Sequence, residues 1–202
     1  DTPYTFKASA DMTLVPKFIS STTAVFGVGA AKFDDLTEAG KYAASGSIKT
    51  IVLLNDGTVS GSHTIPAGTT LLIPFDDSNT LYTTTPESTS VKGKISWTHN
   101  SWQKPTPYRT LTLAADADIT VDGAISLSAK HHAGGSAENA GSPSGPCSFM
   151  NMMAGSHITL NSGAALYAWG YVTGGGTITA KSGSSVYENF QIRDFRGGSA
   201  TS

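Results

Sequence analysis

Cysteine is almost missing: Cys147 is the single one in 202 residues, so no disulfide can form within the chain. Charge is sparse as well. Asp, Glu, Lys and Arg make up 14% of the residues and leave a formal net charge of −2. Such a chain has no basic face to offer, which argues against nucleic acid or an anionic membrane surface as a partner. No apolar run approaches the roughly 18 residues needed to span a bilayer, and the first residues lack a charged-then-apolar export signal. Membrane insertion is not expected, and the chain is expected to begin as a mature or excised piece. What is plentiful is small: 22 glycines, with many Ser, Thr and Ala. Chains that turn often and stack small side chains closely have this composition.

Residues 1–20, DTPYTFKASADMTLVPKFIS, alternate apolar and polar at Tyr4/Phe6 and again around Leu14–Phe18. They predict two strands joined near Ser9–Asp11, too little to bury a face alone. A helix is predicted from Phe33 to Ala44. Phe33, Leu36, Ala39, Tyr42 and Ala43 recur at helical spacing, with Asp34, Asp35 and Glu38 near the start and Gly46 just past the end.

Beyond the helix the pattern is strand and turn, and it repeats. Thr159-Leu160-Asn161-Ser162-Gly163-Ala164-Ala165-Leu166 is followed twenty residues on by Thr179-Ala180-Lys181-Ser182-Gly183-Ser184-Ser185-Val186. The register sets Ile158 over Ile178, Tyr167 over Tyr187 and Val172 over Ile192. Segments Thr64–Leu71 and Thr112–Ile119 have the same form, a short strand, a tight turn closed by Gly or Asp, and another short strand. A step of about 20 residues is one coil of a solenoid with parallel pairing between coils. An antiparallel sandwich also has short strands and many turns, but does not explain a fixed step. Residues 76–110 and 131–153 break the period. Insertions on one face of a solenoid are where binding usually sits.

The stretch FDDLTEAGKYAASGSIKTIVLLNDGTV, then HTIPAGTTLLIPFDD, resembles the start of a pectin-lyase-like right-handed parallel β-helix, over about residues 30–202. The resemblance implies an all-β solenoid with one short N-terminal capping helix, then a first strand at Ile51–Leu54. YTFKASADMTLVPKF resembles the closing strands of small β repeats in bacterial surface proteins. The expected division is residues 1–22 as the end of a repeat module or linker, and 23–202 as the β-helix. The last residues, RGGSATS, supply no amphipathic cap, so a β-helix truncated at its C-terminal end is expected. The family includes lyases, hydrolases, tailspikes and adhesins, so it informs fold more than function.

Lyases of this fold need an acidic cluster for Ca²⁺ with an Arg or Lys base, and the hydrolases need Asp on neighbouring coils. Asp76-Asp77, Asp116/Asp118/Asp122, and Glu188 with Asp194 are the acidic candidates here, but turn roles or surface ion pairs explain them. His131-His132 needs a third ligand to hold a metal, and Cys147, between Pro146 and Phe149, reads as a packing residue. His63, His99 and His157 stand singly, and no Ser or Cys has the surroundings of an activated nucleophile. No metal, cofactor or catalytic residue is expected. Trp97, His99, Trp102 and Tyr108, with Asn100 and Gln103, mix rings with hydrogen-bonding groups as sugar sites do, and they are the predicted ligand-binding residues. The competing reading has Trp97 and Trp102 sealing the excursion against the coils. The expected function is a non-catalytic module of a secreted bacterial cell-surface protein, for adhesion or for binding a glycan or host surface. The alternative is the N-terminal part of a β-helical polysaccharide lyase or glycoside hydrolase.

Overall fold

The computed structural model describes residues 24–77, 95–96, 106–127, 146–168, 170–188, 195–196 and 199–201. The strands predicted within residues 1–20 lie outside these. Among the described residues the chain is mostly β, with one helix and largely parallel sheets.

β1 (Phe26–Val28) pairs antiparallel with both β2 (Ala31–Phe33) and β3 (Thr50–Leu53). Between β2 and β3 runs α1 (Leu36–Ser45). The Asp35 carboxylate caps it by accepting the Glu38 N–H at 2.8 Å, and Glu38 in the first turn suits the helix dipole. Lys49 donates to the carbonyls of Ala43 and Ala44 at 3.3 and 2.8 Å, placing a cation at the negative end. The helix starts later than predicted because Asp35 takes the capping position, and Phe33 belongs to β2. The Phe33 ring instead packs on Tyr42, with centroids 5.3 Å apart. The buried face of α1 is Leu36, Ala39, Gly40 and Ala43. Gly40 lets the helix approach closely, since a Cβ would stand 3.0 Å from Pro66 Cδ and 3.2 Å from the Thr64 carbonyl oxygen.

From β3 onward the chain visits three sheets in fixed rotation. Sheet I receives β3, β6 (Thr70–Ile73), β10 (Ala124–Leu127), β13 (Ala165–Ala168) and β16 (Ser185–Glu188). Sheet II receives β4 (Gly57–Val59), β8 (Thr106–Leu113), β11 (Pro146–Met152), β14 (Tyr171–Gly174) and β17 (Phe195–Arg196). Sheet III receives β5 (Ser62–Ile65), β9 (Asp118–Val121), β12 (His157–Leu160), β15 (Thr177–Ala180) and β18 (Ser199–Thr201). Each of these strands lies parallel to the previous one in its sheet. The exception to the rotation is β7 (Ile95–Ser96), which pairs antiparallel with β18.

In-register pairing lines side chains into columns. Ile51, Leu71, Ile125, Leu166 and Val186 form one in sheet I; Ile119, Ile158 and Ile178 one in sheet III; Leu111, Met150 and Val172 one in sheet II. All are buried in a single core cluster. Successive strand residues point to opposite faces, so alternate positions are turned outward. The expected pairs Leu166–Val186, Tyr167–Tyr187 and Ile158–Ile178 are all present. The two tyrosine rings stack outside the core, 5.0 Å apart and 9° from parallel.

Three expectations are corrected. Val172 pairs with Phe195, not Ile192, so the step on sheet II there is 23 residues rather than twenty. Thr112–Ile119 has the form of Thr159–Leu166 but joins sheet II to sheet III, whereas Thr159–Leu166 joins sheet III to sheet I. Its true counterpart is Thr120–Ile125, a shorter corner. At that corner Gly123 approaches so closely that a Cβ would lie 2.2 Å from the Thr69 carbonyl oxygen. Last, the apolar run within residues 131–153 does not break the period: β11 is a full member of sheet II, with Met150 and Met152 in the core.

Candidate functional site

Of the four predicted ligand-binding residues, Trp97, His99 and Trp102 lie outside the described residues. Tyr108 is described, and its backbone is irregular. On the neighbouring strand Cys147 pairs with Pro107 and Ser148 with Arg109, so Tyr108 is the extra residue of a β-bulge. Bulges are uncommon in parallel pairs and re-aim a side chain out of the regular alternation.

Two groups meet the re-aimed ring. Its hydroxyl donates to Asp77 Oδ1. The Arg109 guanidinium stands over the ring, 4.5 Å from its centroid, a cation–π contact. Arg109 Nη1 also donates to the Tyr108 carbonyl at 3.3 Å, while Arg109 Nε is buried without a hydrogen-bond partner. One residue on, the Thr110 N–H donates to Asp56 Oδ1 at 2.8 Å, which fixes the strand. The bond to Asp77 and partial burial hold the Tyr108 phenol above its ordinary value, against the opposing pull of Arg109. The hydroxyl therefore stays protonated at neutral pH. The assembly brings together an aromatic ring, a guanidinium and the Asp77 carboxylate.

Asp77 and Arg109 were not predicted as site residues. Asp77 does stand in a turn, as expected of it. Asp77 follows β6 and Tyr108 lies in β8, so the two ends of the intervening segment meet at this hydrogen bond.

The remaining polar candidates separate. Asp118 Oδ1 lies 3.7 Å from His157 Nδ1, and His157 Nε2 lies 2.8 Å from Thr179 Oγ1. The order hydroxyl–imidazole–carboxylate is that of a nucleophilic relay. Yet 3.7 Å exceeds a hydrogen bond, and the β12 backbone is committed to pairing with β9 and β15. The group reads as a cross-strand polar pair. Asp122 accepts from Asn161 Nδ2 at 2.6 Å, apart from Asp118. His63 bridges Thr37 Oγ1 (3.0 Å) and the Ser60 carbonyl (2.9 Å), tying α1 to sheet III. Among the described residues no three His, Cys, Asp or Glu converge as metal ligands. His131, His132 and Asp194, like the side chains of Cys147 and Glu188, lie outside the description.

A second aromatic surface is the Tyr167–Tyr187 stack. Burial and the neighbouring Tyr187 raise the Tyr167 phenol above its ordinary value. The stack is flanked on the same face by Ala165 and Ser185. It fits the expected packing ladder; Trp169 lies outside the described residues. Comparison of the chain with known protein families, curated proteins and solved structures found no match.

Proposed function

We propose that this chain is a non-catalytic, glycan-binding or adhesive module of a secreted bacterial cell-surface protein, built as a pectin-lyase-like right-handed parallel β-helix. The rotation through three sheets, each extended in parallel, supports one coil per circuit. Right-handedness follows from the general rule for parallel strands joined by a crossover in the same sheet, obeyed in about 98% of cases. In this reading α1 caps the first coil, residues 23–202 form the β-helix, and residues 1–22 end a preceding repeat module. No cofactor is invoked.

The observation that carries the binding function is the bulge at Tyr108. It turns an aromatic ring out of the strand beside Asp77 and Arg109, at the foot of the excursion bearing Trp97, His99 and Trp102. Rings that stack on a sugar face, bordered by groups that grip its hydroxyls, are the usual means of holding a glycan.

The test is a panel of host and plant glycans measured against the protein, Tyr108→Ala, and the double variant Trp97→Ala/Trp102→Ala. Loss of the Tyr108 ring is expected to weaken binding roughly ten-fold or more, as removal of a central aromatic anchor does. The double variant is expected to weaken it too while keeping the wild-type circular dichroism spectrum. Unchanged affinity in a folded Tyr108→Ala would remove the site. Turnover of pectin or alginate would favour the alternative, a part of a polysaccharide lyase or glycoside hydrolase.

A further inference from the structure

The charges around Tyr108 say which glycans the site accepts. Asp77 holds the ring hydroxyl. Asp76 is adjacent in sequence and close enough for its charge to act on the same phenol. Two carboxylates and one guanidinium therefore act on the one ring. That guanidinium lies over the Tyr108 ring, where the π face shares its charge, and one of its hydrogens is directed back to the Tyr108 carbonyl.

From this balance we infer that the ligand is a neutral glycan, and that the site rejects sugars carrying carboxylate or sulfate groups. The inference rests on the glycan-binding reading of the Tyr108 site. Carboxylate oxygens accept hydrogen bonds from sugar hydroxyls, and a guanidinium donates to them, so an uncharged vicinal diol finds both kinds of partner. A uronate, sialylated or sulfated sugar adds a negative group beside two others, and like-charge contacts are how interfaces exclude wrong partners. This also bears on the alternative reading, because a polyuronate-cleaving site must attract the polyanion that this one repels.

The experiment uses the full 202-residue chain and matched probes: oligogalacturonate against its carboxyl-reduced oligogalactose, and sialylated against unsialylated lactosamine oligomers, with chito-, manno- and xylo-oligosaccharides as further neutral probes. Binding is read by calorimetry at about 50 and 300 mM salt, since screening weakens charge effects between exposed groups. Neutral probes should bind with affinity that salt changes less than about two-fold, and charged counterparts at least about ten-fold more weakly at low salt. Asp76→Asn and Asp77→Asn, which keep side-chain shape, should narrow that gap. Equal or tighter binding of a charged probe, abolished in folded Tyr108→Ala, would overturn the neutral preference and leave the site standing. Binding of no probe, or binding indifferent to Tyr108→Ala, would overturn both the site and the preference.

Discussion

Replacing Leu166 with Ala is expected to destabilise the protein by roughly 2–5 kcal/mol, the range for deleting a buried leucine side chain. Leu166 has no exposed surface. It stands in its column between Ile125 on β10 and Val186 on β16. Strands on both sides are fixed by backbone pairing, so neither can move in to fill the hole. The cavity part of the cost should therefore persist, on top of about 2 kcal/mol of lost apolar burial. Denaturant unfolding followed by circular dichroism measures it, with the midpoint falling and the slope unchanged. A loss below about 0.5 kcal/mol, the size of an ordinary surface change, would mean that the side chain is not in a packed column.

Gly174→Ala should be costly for a different reason, by roughly 2–4 kcal/mol. Gly174 ends β14 with φ at +97°, where an L side chain is strained. A Cβ there would also lie 2.0 Å from the Met152 carbonyl oxygen. That oxygen cannot yield freely, since it accepts the N–H groups of Gly175 and Gly176 at 2.8 and 3.1 Å. Gly163 separates strain from clash. Its φ is +85°, yet nothing lies within 4 Å of its would-be Cβ. Gly163→Ala should cost only the backbone term, about 1–2 kcal/mol. Thermal unfolding of the two variants side by side should show Gly174→Ala clearly the worse; equal losses would remove the clash argument.

The two glycines also show what was legible in the sequence. Turn chemistry was: Gly163 and Gly183 mark equivalent corners, and the step of twenty residues aligns Leu166 with Val186 and Ile158 with Ile178. What turn chemistry cannot tell is which sheets a corner joins. Thr112–Ile119 looked like a fourth copy of one corner and is a different one, because strand–turn–strand form is local while sheet membership depends on everything inserted before it. Val172 lost its predicted partner for the same reason. At the candidate site the Tyr108 ring was legible as a binding aromatic. Asp77 and Arg109 were not, since the bulge that turns Tyr108 toward them is a mismatch with β11, nearly forty residues further along, and leaves no local mark.

In a coiled chain, residues about one circuit apart lie one strand spacing apart on all three sheets at once. Three double-cysteine variants in a Cys147→Ser background test this: Ala165→Cys/Ser185→Cys on sheet I, Asn151→Cys/Thr173→Cys on sheet II and Thr159→Cys/Thr179→Cys on sheet III. Each pair is directly opposed in the parallel register. Neighbouring strands lie about 4.8 Å apart, within the 4.4–6.8 Å that a disulfide spans between Cα atoms. Mild oxidation followed by mass spectrometry of tryptic peptides is expected to find the cross-link in all three. Ready cross-linking on one sheet with free thiols on the other two would contradict the coil.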